Sequence, residues 1–362
     1  MNQPASSQRL IALDVLRGLT VAGMILVNNG YGESFAMLQH SRWNGMTPCD
    51  LVFPFFLFIM GVSMYVSMSR RGFQPTVAVI RKVVKRSVLL FVIGLAIHWL
   101  DMAVWGNPLD FAHLRIWAVL QRIALCYLFA SLFALCCNHR YLLPTIVGLL
   151  VVYTVILIAG NGYAEDASVN ILARVDQALF SPGHLYTKSP VDPEGLVGTI
   201  SGVAHVLLGF YCGRLLVTRS TMEQKVISLF VVAAVCIVGG YLLSYGLPLN
   251  KRIWSPSYVL MTCGLCSLLL ALFTYVIDGL ACSPRCYRAL QVFGMNALAL
   301  YVCSELLAIV FGRFAVSTAI YDAIHSIVAA PKWASLAYAL VFVLINYAIG
   351  HLLWRHKVFI KL

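Results

Sequence analysis

Residues 28–61 read NNGYGESFAMLQHSRWNGMTPCDLVFPFFLFIMG. This is a short polar hairpin between two segments, each long and apolar enough to cross a bilayer. Asn28, Asn29, His40, Trp43, Asn44 and Asp50 all fall within a few residues of hydrocarbon. Polar groups at that depth are costly and usually serve a purpose. Among these residue types only histidine exchanges protons readily near neutral pH, which singles out His40.

The apolar character extends over the whole chain. Of 362 residues, 60% are hydrophobic and 11% charged, with a mean hydropathy of +0.85. A soluble domain carries about 25% charged residues. The expected fold is all-α: a polytopic integral membrane helical bundle forming one transmembrane domain over residues 1–362. Ten segments are apolar enough to span, roughly 10–29, 50–69, 84–104, 116–137, 141–160, 197–217, 226–246, 257–279, 290–311 and 334–354. Gly294 and Asn296 interrupt the start of the ninth. Asp14 and Arg17 lie within the first, where a cleavable signal would exclude them, so that segment is expected to remain as a helix. The longest polar stretch, 161–196, is too short for a nucleotide-binding domain. No GxxxxGK[ST] occurs, which argues against ATP-driven transport by this chain alone. No internal repeat is evident, which weighs against a secondary transporter.

The net charge of +12 is distributed by side, which argues for topology and against a nucleic-acid partner. With the N-terminus inside, sixteen cations fall in inner loops or tails (Arg9, Arg70, Arg71, Arg81, Lys82, Lys85, Arg86, Arg140, Arg214, Arg219, Lys225, Arg285, Arg288, Arg355, Lys357 and Lys361). Eight fall outside: Arg42, Arg115, Arg174, Lys188, Lys251, Arg252, Arg313 and Lys332. The stretch 161–196 is acidic. Both termini are therefore expected in the cytoplasm and the His40 hairpin outside. The eleven cysteines lie mostly in apolar runs and read as small buried hydrophobes. Cys263 and Cys266 lack the second ligand pair of a structural zinc site, and no metal is expected.

Several polar residues have both a bland and a functional reading. His40 is either an interface histidine or a proton-transfer group. Asp50 opens the second span, where a carboxylate complements the helix dipole. Asn29 is either a helix C-cap beside Gly30 or an amide donor to an acyl oxygen, and Asn28 has the same alternatives. Asp14 and Arg17 share a helix face and can pair. Arg122, inside the fourth span next to Gln121, needs a partner or a cavity; it either neutralises Asp14 or binds an anion. The stretch NKRIWSPSY, Asn250–Tyr258, is either an interface anchor or an anion or sugar site. A turn and a helix cap account for Asp192, Glu194 and Gly195. Asn296 and Glu305 are expected to face the bundle interior. The pair Gly209 and Gly213 reads as a close helix contact, within or between subunits.

The motifs LDVLRG, VNNG, LQHSRWNGMTPCDLVFPFFLFIMG, LQRIALCYL, DPEGLVGTISGVAHVLLG, KRIWSPSYVL and GMNALALYV follow one another over nearly the whole chain. In this order they resemble the transmembrane acyltransferase family of heparan-α-glucosaminide N-acetyltransferase and its bacterial NagX-type relatives. The resemblance implies acetyl-CoA as donor and an amino-sugar or glycan amine as acceptor on the far side of the membrane. It also implies a homodimer and, for a chain like the bacterial members, a multi-pass protein of the inner (plasma) membrane. The family's histidine, in its H-x-x-W-N-G context, falls on His40. Its asparagine falls on Asn29 or Asn28, with spacing favouring Asn29. Trp43, Asn44, Asp50, Trp254 and Ser255 are then candidates for the acceptor. Arg17, Arg122, Lys251, Arg252 and Asn296 are candidates for the donor.

The residues suit acyl transfer. An imidazole either removes the proton of the attacking amine or carries the acetyl group itself, and an asparagine amide steadies the oxyanion. The alternative is a transporter or flippase of a sugar or lipid-linked saccharide, which would depend on mid-membrane groups such as Arg122, Asn296 and Glu305.

Overall fold

The computed structural model describes residues 10–360; Arg9 and Lys361 of the charge tally lie outside the described residues. Thirteen α-helices follow in order. They are α1 Ile11–Asn28, α2 Val52–Ser69, α3 Val77–Val104, α4 Val119–Cys136, α5 Leu142–Ala159, α6 Ile171–Leu179, α7 Thr199–Thr218, α8 Met222–Leu243, α9 Pro256–Phe273, α10 Pro284–Met295, α11 Ala297–Arg313, α12 Val316–His325 and α13 Pro331–Arg355. Among the described residues nine helices are long and apolar enough to span a membrane. The ninth expected span is broken instead: α10 and α11 meet at Asn296 with a 73° bend. Each spanning helix satisfies its own backbone hydrogen bonds, which is why apolar runs of this length fold this way in lipid.

Helix α7 is central, with 78% of its most apolar window buried, against 17% for peripheral α3. Its packing on α2 is close because both helices present glycine at the crossing. A Cβ at Gly61 would lie 2.0 Å from the Val206 carbonyl, and one at Gly209 would lie 2.1 Å from that of Phe58. The expected small-residue contact therefore forms within the chain.

Polar caps set the helix starts at the loops. Ser255 caps α9 ahead of Pro256, and Asn170 caps α6, a short helix inside the polar 161–196 stretch. The loops following α1, α3, α5 and α8 gather at one end of the bundle. Gly45 N–H donates to Leu249 (2.7 Å) and Ile116 N–H to His184 (3.0 Å), while Trp43 Nε1 donates to Tyr163 (3.0 Å).

Candidate active site

At this end the hairpin builds a tight turn. Thr47, Pro48 and Asp50 form a capping box at the entrance to α2. Asp50 Oδ2 accepts from Ser41 N, Thr47 N and Thr47 Oγ1, each at 3.1 Å. Its Oδ1 lies 2.8 Å from His40 Nδ1 and 3.4 Å from Lys251 Nζ. Five donors around one side chain are the surroundings of a carboxylate, which only accepts. We therefore assign His40 the Nδ1–H tautomer, with Nδ1 donating to Asp50 and Nε2 left as an acceptor. Lys251 Nζ stands over the ring, 3.0 Å from Nδ1 and 3.4 Å from Nε2. The Asp50 side chain is 1% exposed and that of His40 49%, so a solvent-accessible imidazole rests on a buried carboxylate. The Tyr258 hydroxyl donates to the Asp50 carbonyl, tying the turn to α9. Cys49 Sγ packs 3.1 Å from His40 Nδ1.

His40 opens onto a cleft of about 250 Å³ that Asn28, His98, Gln121, Tyr186, Glu194 and Lys251 help to line. Its far wall is a second charged cluster. Arg115 reaches Glu194 at 2.8 Å and Asp192 at 3.2 Å and stacks 4.5 Å from the Tyr186 ring centroid. Burial raises the Asp192 carboxyl, and neighbouring Glu194 adds to the rise, while Arg115 opposes it. Behind this wall Asp176 of α6 accepts from Leu196 N–H (3.0 Å). Burial pushes its carboxyl up to about 6.

The sequence candidates separate clearly. His40, Asn28, Lys251 and Arg252 line the cleft, and Asp50 supports His40 from beneath. Asn28 Nδ2 approaches Glu305 Oε1 at 3.4 Å. Asn29 turns back and donates to the Ile25 carbonyl (2.8 Å), as a C-terminal polar residue does. Trp43 is buried; Asn44 Oδ1 accepts from Asn250 Nδ2 (3.2 Å), locking the hairpin onto the α8–α9 loop. Trp254 is buried with φ 53°, a left-handed conformation that costs energy for a bulky residue. It is held by Ser201, whose hydroxyl donates to its carbonyl (2.8 Å). Ser255 is buried as the cap of α9.

Arg122 lies away from His40. Its guanidinium donates to the carbonyls of Gly195 (2.8 Å), Pro193 (3.1 Å) and Gly198 (3.2 Å), and so holds the segment that carries Glu194. Asn296 donates to Val358 O (3.0 Å) and accepts from Ile360 N (2.9 Å), pinning the C-terminal segment at the α10–α11 bend. Of the three groups named for a carrier, Arg122 and Asn296 are thus engaged with backbone, while Glu305 lines the cleft.

Arg17 belongs to another cleft, of about 330 Å³, formed with Met60, Met64, Met68, Arg86 and Tyr127 among others. Arg17 pairs with Asp14 (3.1 Å) and donates to Ser63 (2.7 Å), while Arg86 sits 4.6 Å over the Tyr127 ring. In the sequence Arg86 is one cation of a basic run, and only the rotation of α3 shows that it faces inward. The role of Arg115 was likewise hidden, since its partners lie 77 and 79 residues away.

The sequence model of the family described as heparan-alpha-glucosaminide N-acetyltransferase, catalytic, matches residues 9–248. The chain belongs to this family. That match includes the His40 hairpin, the Arg115 cluster and Arg122. The mouse heparan-alpha-glucosaminide N-acetyltransferase is 30% identical over 407 aligned residues, covering 93% of this chain and 60% of the mouse protein. The human protein of the same name is 29% identical over 361, covering 82% and 53%. The chain thus spans a little over half the length of these relatives.

Proposed function

We propose that this chain is a membrane-embedded acetyltransferase that moves an acetyl group from acetyl-CoA to the amine of a glucosamine-type sugar. The observation that carries this reading is the half-exposed His40 imidazole, oriented by buried Asp50, at the mouth of a cleft. The amine nitrogen attacks the thioester carbonyl; a C–N bond forms and the C–S bond breaks. His40 Nε2 takes the amine proton and passes it on to the departing sulfur, which leaves as the thiol. Asp50 fixes the ring and stabilises the imidazolium. If His40 instead carries the acetyl group, Nε2 attacks the thioester carbonyl and the C–S bond breaks to release the thiolate. In a second step the amine attacks, the acyl–imidazole bond breaks, and the amine proton leaves to the thiolate or solvent. Asn28, facing the cleft, is the amide available to the oxyanion.

The charge distribution supports a cytoplasmic face at the Arg17–Arg86 end and an extracytoplasmic face at the His40 end. Arg17 and Arg86 suit the donor's phosphates. Helices α3, α4 and α11 line both clefts, which supports a route for the thioester between them. The cell's inner membrane is the expected setting.

The test uses the full chain in detergent with labelled acetyl-CoA and glucosamine. Wild type is expected to form N-acetylglucosamine, and His40→Ala to lose about 10²–10⁴-fold in rate while still binding acetyl-CoA. An unchanged rate in His40→Ala removes the mechanism. Glucosamine movement in proteoliposomes without acetyl-CoA would instead support a carrier.

A further inference from the structure

Gln121 is fully buried on α4 and lines the His40 cleft. Among the described residues, neither its Oε1 nor its Nε2 has a hydrogen-bond partner. Buried carboxamides are ordinarily paired, and an orphan calls for a reason. Room for this amide comes from Gly94 on α3. A Cβ there would lie 2.4 Å from Oε1, 2.6 Å from Cδ and 2.7 Å from Nε2. Any larger residue would displace the carboxamide.

Its position is the waist between the two clefts. On α4, Gln121 lines one cleft and Ile123 the other; on α3 the pair is Gly94 and Leu90; on α11 it is Tyr301 and Leu298. At a rise of about 1.5 Å per residue, the clefts approach to within roughly 3–6 Å along all three helices. A group passing from one to the other along α4 would pass Gln121.

The amide offers both a donor and an acceptor. An ammonium only donates and a thioester carbonyl only accepts, whereas a secondary amide does both. We propose that Gln121 binds a secondary amide of the donor's pantetheine arm at this waist, and so sets where the thioester stops relative to His40. The inference rests on the acetyl-CoA reading. The acetamido group of the product has the same chemistry, so the test separates the two sources.

The full chain is titrated in detergent with two probes. These are S-acetyl-pantetheine and its analogue in which an ester oxygen replaces the amide N–H nearest sulfur. Wild type is expected to bind the amide about tenfold more tightly than the ester. Gln121→Leu is expected to bind both alike, with a raised KM for acetyl-CoA and an unchanged KM for glucosamine. Inhibition by N-acetylglucosamine should be the same in both proteins. Equal amide-over-ester preference in wild type and Gln121→Leu overturns the proposal. A variant effect confined to N-acetylglucosamine inhibition overturns it in favour of the product. Should Gln121→Leu fail to fold, Gly94→Ala crowds the same amide, and a folded Gly94→Ala that keeps the tenfold preference is equally fatal. A wild type that neither binds acetyl-CoA nor transfers its acetyl group overturns the acetyltransferase reading itself; one that does both, with no Gln121 effect, overturns only this inference.

Discussion

The two clefts are built on opposite plans. Around His40, loops close off the helical walls, and much of the charge is held: Asp50 by five donors, Glu194 by Arg115, the Glu194 segment by Arg122. Around Arg17 the walls are helices, with Met60, Met64 and Met68 beside two guanidinium groups. Methionine adapts its shape, whereas a capped turn on a buried carboxylate does not. On the acetyltransferase reading, the rigid end suits bond-making and the adaptable end suits gripping a large anionic donor.

Substitutions at the two ends should therefore break different steps. The largest effect is expected at the rigid end. Asp50→Asn should lower kcat by about 10²-fold or more, since it removes the partner of the imidazolium, with acetyl-CoA affinity unchanged in equilibrium dialysis. Equal losses in kcat and donor affinity would erase the distinction between the clefts. At the adaptable end, Arg86→Gln should raise the KM for acetyl-CoA about tenfold, with kcat nearly unchanged and a weaker dependence on salt. A kcat defect without a KM change would place Arg86 in the chemistry instead.

The smallest effect concerns the scaffold behind the rigid end. Burial raises the Asp176 carboxyl to about 6 from an ordinary 3.8. Between these values the native state holds more protons than the unfolded chain, so stability falls as pH rises. The contribution of the neutral form is complete below about pH 4 and lost on passing pH 6. Asp176→Asn keeps an acceptor for Leu196 N–H and removes this dependence. Its melting temperature should match wild type near pH 4 and exceed it at pH 8, by a stability gain on the order of 1–3 kcal/mol. Parallel melting curves across that range would refute the assignment.

Legibility in the sequence followed contact range. His40 and Asp50 are ten residues apart across one turn, and the capping box between them is local chemistry. Lys251, which completes their cluster, is 211 residues from His40, and no local pattern marks that contact. Asn28 and Asn29 part by helix rotation: a one-residue step turns the side chain by about 100°, which leaves Asn28 toward the cleft and Asn29 back on its own helix. Arg17 and Arg122 looked alike as intramembrane cations, yet one lines a cleft and the other clasps three carbonyls. The break in the ninth span was marked by Gly294 and Asn296, but its 73° angle came from packing.

Hydrophobic runs alone determined that the chain is a bundle of membrane helices, because in lipid an isolated segment must satisfy its own backbone and that need is local. The sequence also marked the histidine turn, whose partners are near neighbours. Only the tertiary structure decided which faces of the helices meet, and hence which buried polar groups line a cleft and which merely fasten the scaffold. Side-chain direction on a helix is set by contacts with distant segments, and those contacts carry no signature in the order of residues.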